Sequence, residues 1–239
     1  MSTEITRESG DRAAFLATFR RAVAAEHHGG AGHSRPITPL PNDGVASVGY
    51  AGETEFGHAL TAIGGVVRHL VDAASLISFV DELLTFARTP GVRGSNSAPL
   101  RVAMTNEPEC AAVAYALGSR DDVEVVDYTD AAAIATVDIG FTGARAGVAR
   151  TGSIVVDAAR AGGRTVSLLP PLHVALLNRH AIVSEPGDLW RSLPASLASN
   201  LVQITGPSRS ADIELVITLG VHGPRALWVG LIDVAPESR

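Results

Sequence analysis

Three polar, glycine-rich blocks interrupt apolar runs in the second half of the chain, and their residue types suit a small anion. The first, residues 138–153, holds Thr142, Arg145, Thr151, Gly152 and Ser153. Its glycines let backbone approach a ligand closely, and its hydroxyls add donors. A short helix over residues 143–149 would aim free N–H groups at an anion. A strand–turn–helix–turn–strand connection built of ordinary small residues is the competing reading. The second block runs Gly206-Pro207-Ser208-Arg209-Ser210-Ala211-Asp212-Ile213-Glu214. Pro207 presets a turn that Gly206 tightens, and Arg209 offers a bidentate grip on phosphate or carboxylate. Asp212 and Glu214 face the same side of a strand, placed for acid–base work or for an ion pair with an arginine. The third block is Gly220-Val221-His222-Gly223-Pro224-Arg225. His222 suits proton transfer near neutral pH, and a surface or hydrogen-bonding role is its alternative. Arg225 is a second anion grip. The candidate set is thus His222 and Glu214 for proton transfer, with Thr142, Arg145, Thr151, Gly152, Ser153, Gly206, Ser208, Arg209, Asp212 and Arg225 for binding.

Missing residue types narrow the chemistry. All 19 basic residues are arginine. Schiff-base chemistry, a pyridoxal phosphate lysine and a P-loop lysine are therefore excluded, because guanidinium stays protonated. Cys110 is the single cysteine, so the chain alone closes no disulfide and holds no cysteine zinc site or iron–sulfur cluster. On an apolar helix it reads as a packing residue. His27, His28, His33, His173 and His180 show no metal-ligand spacing, so neither metal nor cofactor is expected. There is no G-x-S-x-G elbow, and no dinucleotide fingerprint follows the first predicted strand. A net charge of −6 without a basic stripe argues against nucleic acid. No apolar run is long enough to cross a bilayer, and residues 1–4 do not begin a leader; a cytoplasmic protein is expected.

The elements that must carry these blocks follow from apolar spacing. With 46% hydrophobic and 18% charged residues, the chain has material for a large core. Asp11 caps a first helix with Phe15, Phe19 and Val23 on one face, ended by Gly29-Gly30. A Gly- and Pro-rich stretch follows to residue 44. We therefore divide the chain into a helical arm with linker, 1–44, and an α/β domain, 45–239. The arm either packs on a partner subunit, giving a homo-oligomer, or folds back on its own domain. Helices are predicted over 53–63, 73–88 and 108–117, and strands over 66–70, 100–104 and 123–126. The second half reads as strands over 154–156, 165–169, 173–177, 213–219 and 227–232, with one helix over 188–200. Such alternation predicts a mostly parallel sheet with helices on both faces.

These blocks, in this order, resemble the LUD-domain family. The resemblance is carried by Gly140-Phe141-Thr142, by residues 149–156, by Ser167-Leu168-Leu169-Pro170 and above all by the second and third blocks. It implies a three-layer α/β/α sandwich of the NagB/RpiA/CoA-transferase-like group. It also implies a role in oxidising L-lactate to pyruvate, as one of three proteins whose companions bear iron–sulfur clusters. The near absence of cysteine suits the cluster-free member, with iron–sulfur proteins as partners. Family members usually carry an acid where Arg150 stands, before the Thr-Gly pair. A stand-alone enzyme on a phosphorylated, folate or CoA-linked metabolite, or an assembly protein without a ligand, are the alternatives.

Overall fold

Helix α1 (Tyr50–Ala62) leads through Gly64 and Gly65 into strand β1 (Val66–Leu70), and α2 (Ala73–Ala87) returns to β2 (Leu100–Met104). The computed structural model describes residues 50–92, 99–118, 120–193, 200–211, 217–220 and 222–233. The arm and linker predicted over 1–44, and Asp212 and Glu214, lie outside the described residues. After β2 come a 3-10 turn (Pro108–Cys110), α3 (Ala111–Leu117), β3 (Val123–Val126), α4 (Ala131–Ile134) and β4 (Ile139–Ala144). Then follow β5 (Ala146–Val148), β6 (Ser153–Asp157), α5 (Thr165–Leu168), β7 (Leu172–Asn178), β8 (Ile182–Val183) and α6 (Pro186–Ser192). Strands β9 (Leu201–Ile204), β10 (Arg209–Ala211), β11 (Ile217–Leu219) and β12 (Ala226–Ile232) complete the described chain.

Six strands pair in parallel in the order β1-β12-β7-β4-β2-β3. Alternate side chains of each central strand go to opposite faces and both faces are covered, which is why β4 and β7 are mostly apolar, with Thr142 and His173 as buried polar exceptions. Val102, Ile139, Phe141, Leu172, Val174, Leu176 and Trp228 pack under α2 and α3. Ala144, Ala175, Leu177, Leu227, Val229 and Leu231 pack under Phe56 and Leu60 of α1, together with Ile154 and Val156 of β6. The result is a three-layer α/β/α arrangement in which a second sheet, β8-β5-β6-β9, joins α1 on one face. No helix among the described residues is long and apolar enough to cross a membrane.

Helix α2 begins with a reciprocal cap. Asp72 Oδ1 accepts from the Ser75 backbone N–H at 2.8 Å, and Ser75 Oγ accepts from the Asp72 N–H at 3.0 Å. Asp72→Ala removes one half of this pair and is expected to cost about 1 kcal/mol, read as a lowered urea midpoint. An unchanged midpoint would show that the cap contributes nothing.

Three expectations are corrected. Residues 165–168 form helix α5, not a strand. Four residues, of which only Val166 and Leu168 are apolar, are too few for period alone to distinguish the two. Gly140 lets the helix lie on the sheet, since a Cβ there would stand 2.1 Å from the Val166 carbonyl oxygen. Residues 143–149 form no helix: β4 bends at Arg145 into β5, whose pairing with β6 takes the backbone bonds a helix would need. Helix α6 starts earlier than predicted, at Pro186, because Glu185 and Asp188 make a capping box there, and it ends at Ser192.

Candidate functional site

The carboxyl ends of β2 and β4 gather a cluster of polar and charged side chains. From β2 the chain continues to β3 on one side; from β4 it goes on to β7 on the other. Open α/β sheets hold ligands where neighbouring strands send their connections apart in this way. Thr105 extends β2 by one step, its N–H donating to the Phe141 carbonyl at 3.0 Å. Glu107 follows, and Pro108 opens the 3-10 turn that brings Glu109 beside it.

Glu107 is buried, its side chain only 2% exposed. Its Oε2 accepts from Thr105 Oγ1 at 2.8 Å and from the Gly143 N–H at 2.6 Å. Gly143 is needed for this approach, because a Cβ would lie 3.0 Å from the Glu107 carboxyl carbon and 2.9 Å from Glu109 Oε2. Arg160, in the turn after β6, sets Nη2 at 3.1 Å from both Glu109 oxygens and Nε at 3.7 Å from Glu107 Oε1. Arg145, in the bend after β4, reaches Asp157 at 3.3 Å. Burial pushes the Glu107 carboxyl up to about 7, against the pull of Arg160 and Thr105. It is thus an acid–base group matched to neutral pH. Burial lowers the Arg145 guanidinium, while burial of Arg160 is outweighed by Glu109 and Glu107, which raise it. Cys110 is buried next to the cluster, and burial and the Glu107 charge drive its thiol well above its usual range. It is therefore no nucleophile.

Of the predicted residues, Arg145 belongs to this cluster. Thr142 is fully buried, its Oγ1 2.9 Å from His173 Nε2. Burial holds His173 neutral, pushed down to about 3. The other described ones collect at the opposite, amino end of the sheet. Gly152 and Gly206 both close on the carboxyl end of α1, against Leu60 and Ile63. Thr151, Ser153 and Thr205 form a chain of hydroxyls at 2.7 and 2.8 Å. Arg209 donates to the Ile63 carbonyl at 2.5 Å, as a cap on α1. Ser208 pairs through its backbone with Pro224 and Gly220, and the exposed His222 belongs to that same turn. Arg225 turns away from Arg209, to the Gly91 carbonyl at 2.6 Å. Arg150 is exposed and paired with Glu185 at 2.8 Å.

Sequence reasoning passed over Thr105, Glu107, Glu109, Asp157 and Arg160. The signal was present: two carboxylates flank a proline directly after an apolar strand, the place where such sheets do chemistry.

Residues 55–232 match the LUD domain family. Lactate utilization protein C of Halalkalibacterium halodurans is 35% identical over 125 residues, 48% of this chain and 54% of that protein. Its namesake in Bacillus subtilis is 37% identical over 103 residues, 40% of this chain and 43% of that one. An uncharacterized protein of Neisseria meningitidis is 35% identical over 96 residues, 39% of this chain and 41% of that protein. The chain thus spans about half the length of the curated relatives it matches. A crystal structure of a DUF162 family protein from Deinococcus radiodurans aligns at 19% identity and a TM-score of 0.49, over 77% of this chain and 97% of that one.

Proposed function

This chain belongs to the LUD domain family, and on that footing we propose that it serves lactate utilization as a cluster-free component that binds a small carboxylate and works with iron–sulfur partner proteins. The observation that carries the reading is the cluster at the carboxyl ends of β2 and β4: a buried carboxyl pushed up to about 7, with two half-buried arginines beside it. Lactate presents a carboxylate for arginine and a hydroxyl for a base. The names of the relatives from Halalkalibacterium halodurans and Bacillus subtilis support the same choice. A single, buried cysteine leaves redox centres to the partners. Removing this chain from its host is expected to slow growth on L-lactate and leave growth on glucose intact, with recovery when the chain is returned. Unchanged growth on lactate would overturn the reading.

A further inference from the structure

Buried polar atoms without a hydrogen bond are costly, and each calls for an explanation. Among the described residues six side-chain atoms are in this state, and three of them belong to one cluster: Glu107 Oε1, Arg145 Nε and Arg160 Nε. The two nitrogens are donors. The oxygen is an acceptor when Glu107 is ionised and a donor when it is protonated. The proton has one place to go, because Oε2 already accepts from Thr105 and Gly143. The unmet inventory is therefore two donors and one acceptor in one state, and three donors in the other. A 2-hydroxycarboxylate complements the first, with carboxylate oxygens to accept and a hydroxyl to donate. A 2-oxocarboxylate complements the second, with acceptor oxygens alone.

We infer that this cluster is a binding site for a small 2-hydroxy- or 2-oxocarboxylate, its carboxylate on Arg145 and Arg160 and its C2 oxygen on Glu107, with ionised Glu107 selecting the hydroxyl and protonated Glu107 the oxo group. The choice of three-carbon acids rests on the proposed role in lactate utilization; the donor and acceptor inventory does not.

Every element around Glu107 contributes to its setting. Thr105, Glu109 and Cys110 come from its own loop, the Gly143 N–H from β4, and Arg160 from the turn after β6, with Arg145 and Asp157 completing the cluster. With Glu107, Glu109 and Asp157 ionised, the two arginines leave one net negative charge. Both acids then bind less tightly as pH rises, so their affinity ratio, not either affinity, reports the C2 contact.

Isothermal titration of the purified chain with L-lactate, pyruvate and propionate at pH 6 and pH 8 tests the site. The preference for L-lactate over pyruvate is expected to rise about tenfold from pH 6 to pH 8, the scale of one charged hydrogen bond. Propionate, which lacks the C2 oxygen, is expected to bind about tenfold more weakly than the better ligand at each pH. In Glu107→Gln the amide oxygen is held by Thr105 and Gly143, so the NH₂ takes the Oε1 position. That variant should favour pyruvate at both pH values. No binding of any acid, propionate equal to L-lactate, or a wild-type ratio indifferent to pH would each overturn the site, and the last two need no variant. Binding as described with growth on lactate unaffected by removing the chain would sink the proposed role alone; a growth defect without binding would sink this site alone.

Discussion

Glu107→Gln is expected to stabilise the protein at pH 8 relative to pH 5, by about 2 to 3 kcal/mol more than the wild type changes over the same window. The sign follows from the direction of the shift. Burial raises the Glu107 carboxyl from 4.5 in the unfolded chain to about 7 in the fold. Below 4.5 both states carry the proton, and the group does not oppose folding. Between 4.5 and 7 the unfolded chain gives up its proton first, so stability falls as pH rises. Above 7 both states are ionised and the penalty stays constant. Glutamine has no such window. It also keeps an oxygen to accept from Thr105 Oγ1 and the Gly143 N–H, so packing is retained. Urea unfolding of both proteins at pH 5 and pH 8 measures the difference directly. Parallel curves for the two proteins would mean that Glu107 is charged in the fold without cost, and the acid–base role would fall with it.

The elements were legible wherever pattern and length agreed. Leu76, Val80 and Leu83 repeat at helical spacing, and the structure has them buried on one face of α2. The apolar runs of β2, β7 and β12 stand where the alternation put them. Failures occurred where a short run had to be assigned without a period, as at α5, or where a helix rested on its cap alone. Helix α4 is four residues long, and its signal is Asp130 accepting from the backbone N–H groups of Ala132 and Ala133. The site was harder to read, for a different reason. Glycine-rich blocks draw the eye because they suit a ligand, yet a glycine suits the protein's own backbone equally well. Glu107 and Glu109 are short-range neighbours in sequence, but Arg160 lies 51 residues from its partner Glu109. Only the fold unites them.

Gly152 shows that ambiguity most sharply, and Gly152→Ala is expected to destabilise the protein by about 3 to 5 kcal/mol. The residue has φ +62°, in the left-handed region, which costs an L-residue about 1 to 2 kcal/mol. The larger part is contact. A Cβ would stand 2.3 Å from the Leu60 nitrogen, 2.6 Å from its Cα and 2.7 Å from the Ala59 carbonyl carbon. All three are backbone atoms of α1, so no side-chain rotation relieves them and the helix itself must shift. Helix α1 carries Phe56 and Leu60, both fully buried against the sheet. Moving it opens the layer that covers β7 and β12. A total of this size is a large share of the roughly 5 to 15 kcal/mol that holds an ordinary domain folded. Gly91→Ala is the control, since Gly91 has φ +91° and a Cβ there would meet nothing within 4 Å. It bears the conformational cost without the contact. If urea unfolding finds Gly152→Ala no worse than Gly91→Ala, the glycine is not there for the helix, and its role as a ligand's close approach regains its standing.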